Sequence, residues 1–563
     1  MPAPSRAAAS RALIAASLIC AAALGASSAL AEPESEFWSL AGRPDAAATL
    51  VSRMSDAELL GQVFMFGYRG AAPDPAYLSW ISTRGLGGTK IYGWNAAKLE
   101  TLKQAIADMQ AAAASGPRGI PLFVATDQEG GWVRHLKDGT SMTPGNMAVG
   151  ASGRPYDAYA QSRYISREIR EIGINMNFAP MLDLATEPDS VLIGPRAYSD
   201  DPAMTGLYGL AALRGAEAEG IISTAKHYPG HGATKVDSHG RLPLIEIDED
   251  TLWNRELLPF RMLANEGVPA IMSGHIAFPK VTGDSVPATF SSVLLKDYLR
   301  ERIGFKGVVI TDDLLMVGAA SSHPRFVDSA VAALKAGNDI LLYTAAPSLQ
   351  DQSWPYLVAL MAKDQEFGRA VREAALRVLE VKYEYFPRSK ELSAAGPAPA
   401  ELLEREWSEI LDLAFRSATL IRADAIPLKA EDAGRVLLAG PFAAFYEAGK
   451  ALYPQAERFY FPYLPNADEL AAYGPGLRAA AARYDTVVFC LSSFDDLPLL
   501  EGLRSYKGRL IVLSTHSPAP LGKAPWVKDA IAVYASGIES LMAGFNAIAG
   551  KYAPTGRLPF SMK

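Results

Sequence analysis

The stretch Gly307-Val308-Val309-Ile310-Thr311-Asp312-Asp313 decides how this chain is read. A short apolar run of branched residues ends abruptly in two aspartates. Branched side chains favour an extended backbone, and a run apolar on both faces fits a strand buried inside a parallel sheet. Seven further runs repeat the theme, at 63–67, 89–92, 122–126, 175–179, 222–226, 270–273 and 339–342. Amphipathic stretches lie between them, among them 97–114, 156–172, 204–219 and 292–303. Strand alternating with helix implies a parallel sheet covered by helices, and eight such units predict a closed (β/α)8 barrel of the TIM type.

Downstream, 388–405 holds Ser393, Gly396, Pro397 and Pro399 among alanines, which reads as a linker. A second alternation follows, with predicted strands at 435–440, 486–490, 510–513 and 530–534 and a helix at 540–549. The expected organisation is therefore a barrel over 32–387, a linker over 388–405, and a smaller α/β sandwich domain over 406–563. A chain of 563 residues is too long for one compact unit at roughly 100–200 residues per domain.

Upstream, Arg6 and Arg11 precede an apolar run from Leu13 to Leu24, and small residues end in Ala29-Leu30-Ala31. A positive start, an apolar centre and an A-x-A end predict a signal peptide over 1–31 and an exported protein, periplasmic or secreted. The apolar run is short for a membrane anchor. Ile19 before Cys20 argues against a lipoprotein. Cleavage after Ala31 leaves Cys490 alone, so no intramolecular disulfide is expected; Cys490 closes an apolar run and reads as a buried strand residue. The composition is ordinary for a globular protein, with 49% hydrophobic and 20% charged residues. A net charge of −7 and the lack of a basic face argue against nucleic acid as partner.

A βα barrel builds its active site where strands end. Four predicted strands lead directly into ionisable groups: Asp127-Gln128-Glu129, Lys226-His227 with His231, Gly274-His275, and Asp312-Asp313. The loop after the fifth run also carries Asp237 and His239. A metal site there is disfavoured, because Pro229 and Gly230 between His227 and His231 prevent the helix that would present both. No metal or cofactor is expected. Two readings of Asp237 and His239 stand side by side. Either the carboxylate serves only to hold the loop together, or it orients the imidazole for proton transfer near neutral pH. Asp312 likewise reads either as a helix cap or as a nucleophile, and the adjacent Asp313 allows both roles to be filled. A carboxylate nucleophile facing a proton donor is the arrangement of retaining glycosidases.

Asp127-Gln128-Glu129-Gly130-Gly131, Pro144-Gly145-Asn146-Met147-Ala148, Ile193-Gly194-Pro195-Arg196-Ala197-Tyr198, Lys226-His227-Tyr228-Pro229-Gly230-His231-Gly232, Asp237-Ser238-His239 and 308–313 together resemble glycoside hydrolase family 3, in its N-acetyl-β-glucosaminidase branch. The likeness extends from about Leu59 to the ending Pro554-Thr555-Gly556-Arg557-Leu558-Pro559. The resemblance implies a retaining, exo-acting β-N-acetylglucosaminidase. Asp312 would be the nucleophile, His239 the acid/base and Asp237 its orienting partner. Asp127, Arg196, Lys226 and His227 would hold the hydroxyls of a small saccharide, drawn from cell-wall muropeptides or chitin-type chains. Two departures stand out: His135 where relatives usually carry Arg, which puts one sugar contact in question, and Ala233 where they often have Asp.

The alternatives are a family 3 β-glucosidase, a β-N-acetylglucosaminide phosphorylase and a sugar-binding protein without activity. Glucosidase relatives usually draw a carboxylate acid/base from the second domain. A neutral histidine repels incoming phosphate less than a carboxylate does. The oligomeric state is not legible in the sequence.

Overall fold

The computed structural model describes residues 35–238, 240–394, 396 and 398–562. The expected signal peptide, Cys20 and His239 lie outside the described residues.

The eight apolar runs form eight strands: β1 Phe64–Gly67, β2 Gly88–Lys90, β3 Phe123–Thr126, β4 Met176–Asn177, β5 Ile222–Tyr228, β6 Ala270–Ser273, β7 Val308–Thr311 and β8 Leu341–Tyr343. Each pairs in parallel with the next in chain order, from β1 to β7, and β8 returns to β1 with Phe64 opposite Leu341. A parallel bridge between Ile310 and Ile340 brings β7 alongside β8, so the ring is nearly closed. The strands hold because both faces are covered. Every residue of β1, β3, β6 and β7 is buried. Burial contributes roughly 1.5–3 kcal/mol for each large apolar side chain. The covering helices carry one apolar stripe each. In Leu99–Ala114 the buried residues Leu102, Ala105, Ile106, Met109 and Ala113 recur at the three- and four-residue spacing of one helix face.

The second domain has six strands, β9 Thr419–Arg422, β10 Val436–Gly440, β11 Glu457–Tyr460, β12 Thr486–Leu491, β13 Arg509–Ser514 and β14 Asp529–Ala532. Their order is β9-β14-β13-β12-β10-β11, parallel except for the β9–β14 pair. An apolar cluster lies on either face. One includes Phe445 and Phe545 from the helices Ala443–Leu452 and Ile538–Ile548, and the other Leu477 and Leu500 from Ala467–Ala481 and Leu497–Glu501. Cys490 is fully buried within β12, and burial pushes its thiol well above the usual range.

The stretch read as a linker is mostly helical. The helix Gln365–Ala394 runs through Pro387, and the helix Ala400–Ser417 starts soon after. The composition of 393–399 suits a break, but its flanks are held by the barrel. Lys390 lies over Trp38 at 4.4 Å, Arg416 pairs with buried Asp157 at 2.6 Å, and Glu406 pairs with Arg167. No helix among the described residues is long and apolar enough to cross a membrane.

Candidate active site

A cleft of about 570 Å³ opens at the C-terminal ends of the barrel strands, and every residue lining it lies between Lys90 and Thr344. Its floor is polar because three strands deliver charge to one point. Lys90 ends β2, Lys226 lies within β5, and both are almost fully buried. Asp127, directly after β3, receives both. Lys226 Nζ donates to its Oδ1 at 2.5 Å and Lys90 donates to its Oδ2. Burial alone would raise the Asp127 carboxyl, but the charges of Lys226 and Lys90 outweigh it and hold it well below the usual range.

A second carboxylate shares this network. Glu129 accepts from Lys226 at 2.7 Å and from the Arg196 fork at 2.8 and 3.0 Å. Against the cost of burial, Arg196 and Lys226 bring its pKa down to about 2. Arg196 thus belongs to the site, anchored from behind by a planar bidentate pair. His227 is anchored in the same way: its Nδ1 donates to the fully buried Asp183 at 2.6 Å, which directs its other ring nitrogen elsewhere. The Asp183 carboxylate also accepts the His231 amide at 2.6 Å. Gly232 has no room for a side chain here, since a Cβ would fall 2.1 Å from the Leu184 carbonyl oxygen. Asp127, Arg196, Lys226 and His227 therefore meet in one cleft.

Asp312 follows β7 at the same rim, where its amide donates to the Ser273 carbonyl at 3.0 Å. Burial works against its charge, yet His275, His227 and the Asp313 amide outweigh burial and leave its carboxyl below the usual value. Neither aspartate caps the following helix, which begins at Val317 with Met316 at its N-cap; Asp313 instead braces the turn. Its carboxylate accepts the amides of Leu315 at 3.0 Å and Thr344 at 3.2 Å. Among the described residues, Asp312 is the one cleft-lining carboxylate with neither an ion pair nor a hydrogen bond to another side chain; it accepts only the Asp313 amide, at 2.8 Å. His275 is buried and structural, bonded to Thr289 Oγ1 at 2.8 Å and to the Asp313 carbonyl at 2.9 Å.

Ser238 is buried in the cleft wall, and its carbonyl accepts the Gly318 amide at 3.1 Å. Asp237 precedes it on the exposed side of the loop, with its carbonyl accepting the amides of Gly240 and Arg241 at 3.1 and 3.2 Å. His135 also lines the cleft, with Nε2 at 3.7 Å from Asp127 Oδ2. Burial and the nearby Lys90 lower its pKa to about 4, so it is neutral at pH 7.

Sequence reasoning passed over Lys90, Glu129 as a structural anchor, and Asp183. Lys90 had a signal, a lysine inside an apolar run. Asp183 lies four residues beyond the fourth run, too far from the strand end to be marked as a strand-end group.

The profile of the "Glycosyl hydrolase family 3 N terminal domain" matches residues 57–381. The chain belongs to glycosyl hydrolase family 3. It is 33% identical over 325 residues to a "Beta-hexosaminidase A" of Pseudoalteromonas piscicida, a match that spans 52% of this chain and 54% of that relative. It is 36% identical over 241 residues to a "Beta-hexosaminidase" of Thiobacillus denitrificans, spanning 42% of this chain and 66% of the relative. The chain thus spans between half and two thirds of the length of these relatives. A solved family 3 β-N-acetylglucosaminidase from Paenibacillus sp. shares the fold over 90% of this chain and 99% of its own, with a TM-score of 0.81 and 28% identity.

Proposed function

We propose that this protein is an exo-acting, retaining β-N-acetylglucosaminidase. Asp312 attacks the anomeric carbon and forms a covalent glycosyl-enzyme, while His239 protonates the leaving oxygen and then deprotonates the incoming water. Asp237 orients His239. Asp127, Arg196, Lys226 and His227 hold the terminal sugar.

The observation that carries this reading is that, among the described residues, no ion pair and no other side chain holds the Asp312 carboxylate. A nucleophile must be ionised and unencumbered, whereas Asp127 is held by two lysines and Asp313 by amides and Thr344. The choice of sugar rests on the relatives' names. It is also supported by a cleft lined, among the described residues, wholly from the barrel, since glucosidase relatives usually draw a carboxylate from the second domain. The exported location and wall-derived or chitin-type substrate rest on the predicted signal peptide alone.

The test is turnover of chromogenic β-N-acetylglucosaminide and β-glucoside by the mature chain, with and without phosphate. Selective hydrolysis of the acetamido sugar, unaffected by phosphate and lost in Asp312→Asn, is the expected result. Preference for the glucoside, or release of a sugar phosphate, overturns it.

A further inference from the structure

The cleft has a second chemical zone that the proposed reaction does not use. Around its polar floor the rim is apolar and exposed: Trp132 is 38% exposed, Leu315 55% and Val317 46%, and all three line the cleft. Large apolar side chains gathered at the mouth of a polar pocket mark a contact surface.

Trp132 is held there by its turn. It follows Gly130 and Gly131, which both take positive φ (93° and 59°), at the tip of the hairpin formed by Gln128–Gly130 and Val133–Arg134. Glycine is required twice, because left-handed backbone strains other residues and a Cβ on Gly131 would meet the Gly145 Cα at 3.0 Å. The turn carries the indole toward the second domain, where its ring lies 6.5 Å from that of His516. His516 follows β13 and is itself packed edge-on between Phe442 at 6.0 Å and Tyr463 at 5.9 Å. The second domain thus backs Trp132 with an aromatic cluster, in which His516 is buried and Phe442 and Tyr463 are half-buried, and leaves part of the indole open beside the cleft.

We propose that Trp132, backed by His516, is a stacking platform for the leaving-group side of the substrate, and that it takes a second pyranose ring. This rests on the glycosidase reading above. If the terminal sugar occupies the polar floor, the leaving group must lie toward the mouth. A pyranose has one face of C–H groups that packs on an aromatic ring while its hydroxyls stay in water. Leu315 and Val317 supply further apolar surface at the same mouth. The proposal gives the second domain a share in substrate choice, although it lines none of the cleft.

The test compares kcat/KM for di-N-acetylchitobiose with that for methyl N-acetyl-β-glucosaminide, in the full mature chain. The disaccharide can stack and the methyl group cannot. In Trp132→Ala the ratio should fall about tenfold, the scale of one aromatic contact. Trp132→Phe should restore most of it, and His516→Ala should lower it by a smaller factor. Trp132→Leu, a change on an exposed turn, serves if the alanine variant does not fold. A ratio unchanged in the Trp132 variants overturns the proposal. So does an equal loss on an octyl glycoside, which would mean a general apolar patch. A wild-type chain inactive on both sugars overturns the glycosidase reading, and this inference with it. Wild-type activity with an unmoved ratio overturns the inference alone.

Discussion

The amide of Asp313 donates to the carboxylate of Asp312 at 2.8 Å, and the two neighbouring acids are driven in opposite directions. Asp312 ends below the usual carboxylate range, whereas burial and the charge of Asp312 push Asp313 up to about 6. One strand end thus provides an ionised group facing the cleft and a protonatable one bracing the turn behind it.

Asp312→Asn should lower kcat by at least about a thousandfold with little loss of stability, because the asparagine oxygen still accepts the Asp313 amide and no ion pair is broken. Activity assay and thermal unfolding of the same preparation check both parts. A variant that retains a tenth of wild-type activity would remove Asp312 from its assigned role.

Asp313 gives a pH signature of stability. Its folded pKa lies above its unfolded one, so the folded state binds more protons between about pH 4 and 6. The contribution is fully favourable below about pH 4 and is lost as pH rises through about 6. Asp313→Asn keeps an acceptor for the Leu315 amide and removes the charge. It should stabilise the protein by roughly 1–3 kcal/mol at pH 7 and by almost nothing at pH 4. Urea unfolding at the two pH values measures the difference.

Asp127→Asn should both destabilise the fold and weaken sugar binding. It leaves Lys90 and Lys226 buried with less compensating charge, a change that costs about 3–5 kcal/mol when a buried pair is broken. A rise in KM together with a lower Tm is expected, and a change in KM alone would show that the lysines find other partners.

Glu219→Gln tests the brace between barrel and second domain. Glu219 pairs with Arg163, Arg167 and Arg170, and Arg167 reaches across to Glu406 on the helix that leads into the second domain. Losing that charge leaves Arg170 without its ion pair and Arg163 and Arg167 with Glu406 alone, and a loss of about 3 kcal/mol is expected. Activity at low temperature should persist, since none of these residues lines the cleft.

The barrel was legible because its strands are buried on both faces, which writes each as an uninterrupted apolar run. The same logic explains what was missed. β11, Glu457–Tyr460, is largely exposed at a sheet edge, so Glu457 and Arg458 sit in it without penalty and no apolar run announces it. β9, at the other edge, is short and only partly covered. The composition of 388–405 reads as a linker, and most of that stretch lies in the helices Gln365–Ala394 and Ala400–Ser417.

By itself the sequence determined the (β/α)8 order, the second domain, and which polar groups stand at strand ends, since strand burial and loop position are written locally. Only the tertiary structure decided which of those groups are paired. That Lys90 and Lys226 converge on Asp127, that Asp183 anchors His227, and that Asp312 has no such partner among the described residues depends on strands far apart in the chain closing into one ring. Electrostatic pairing acts over a few ångströms of space, and no local pattern in the chain encodes that distance.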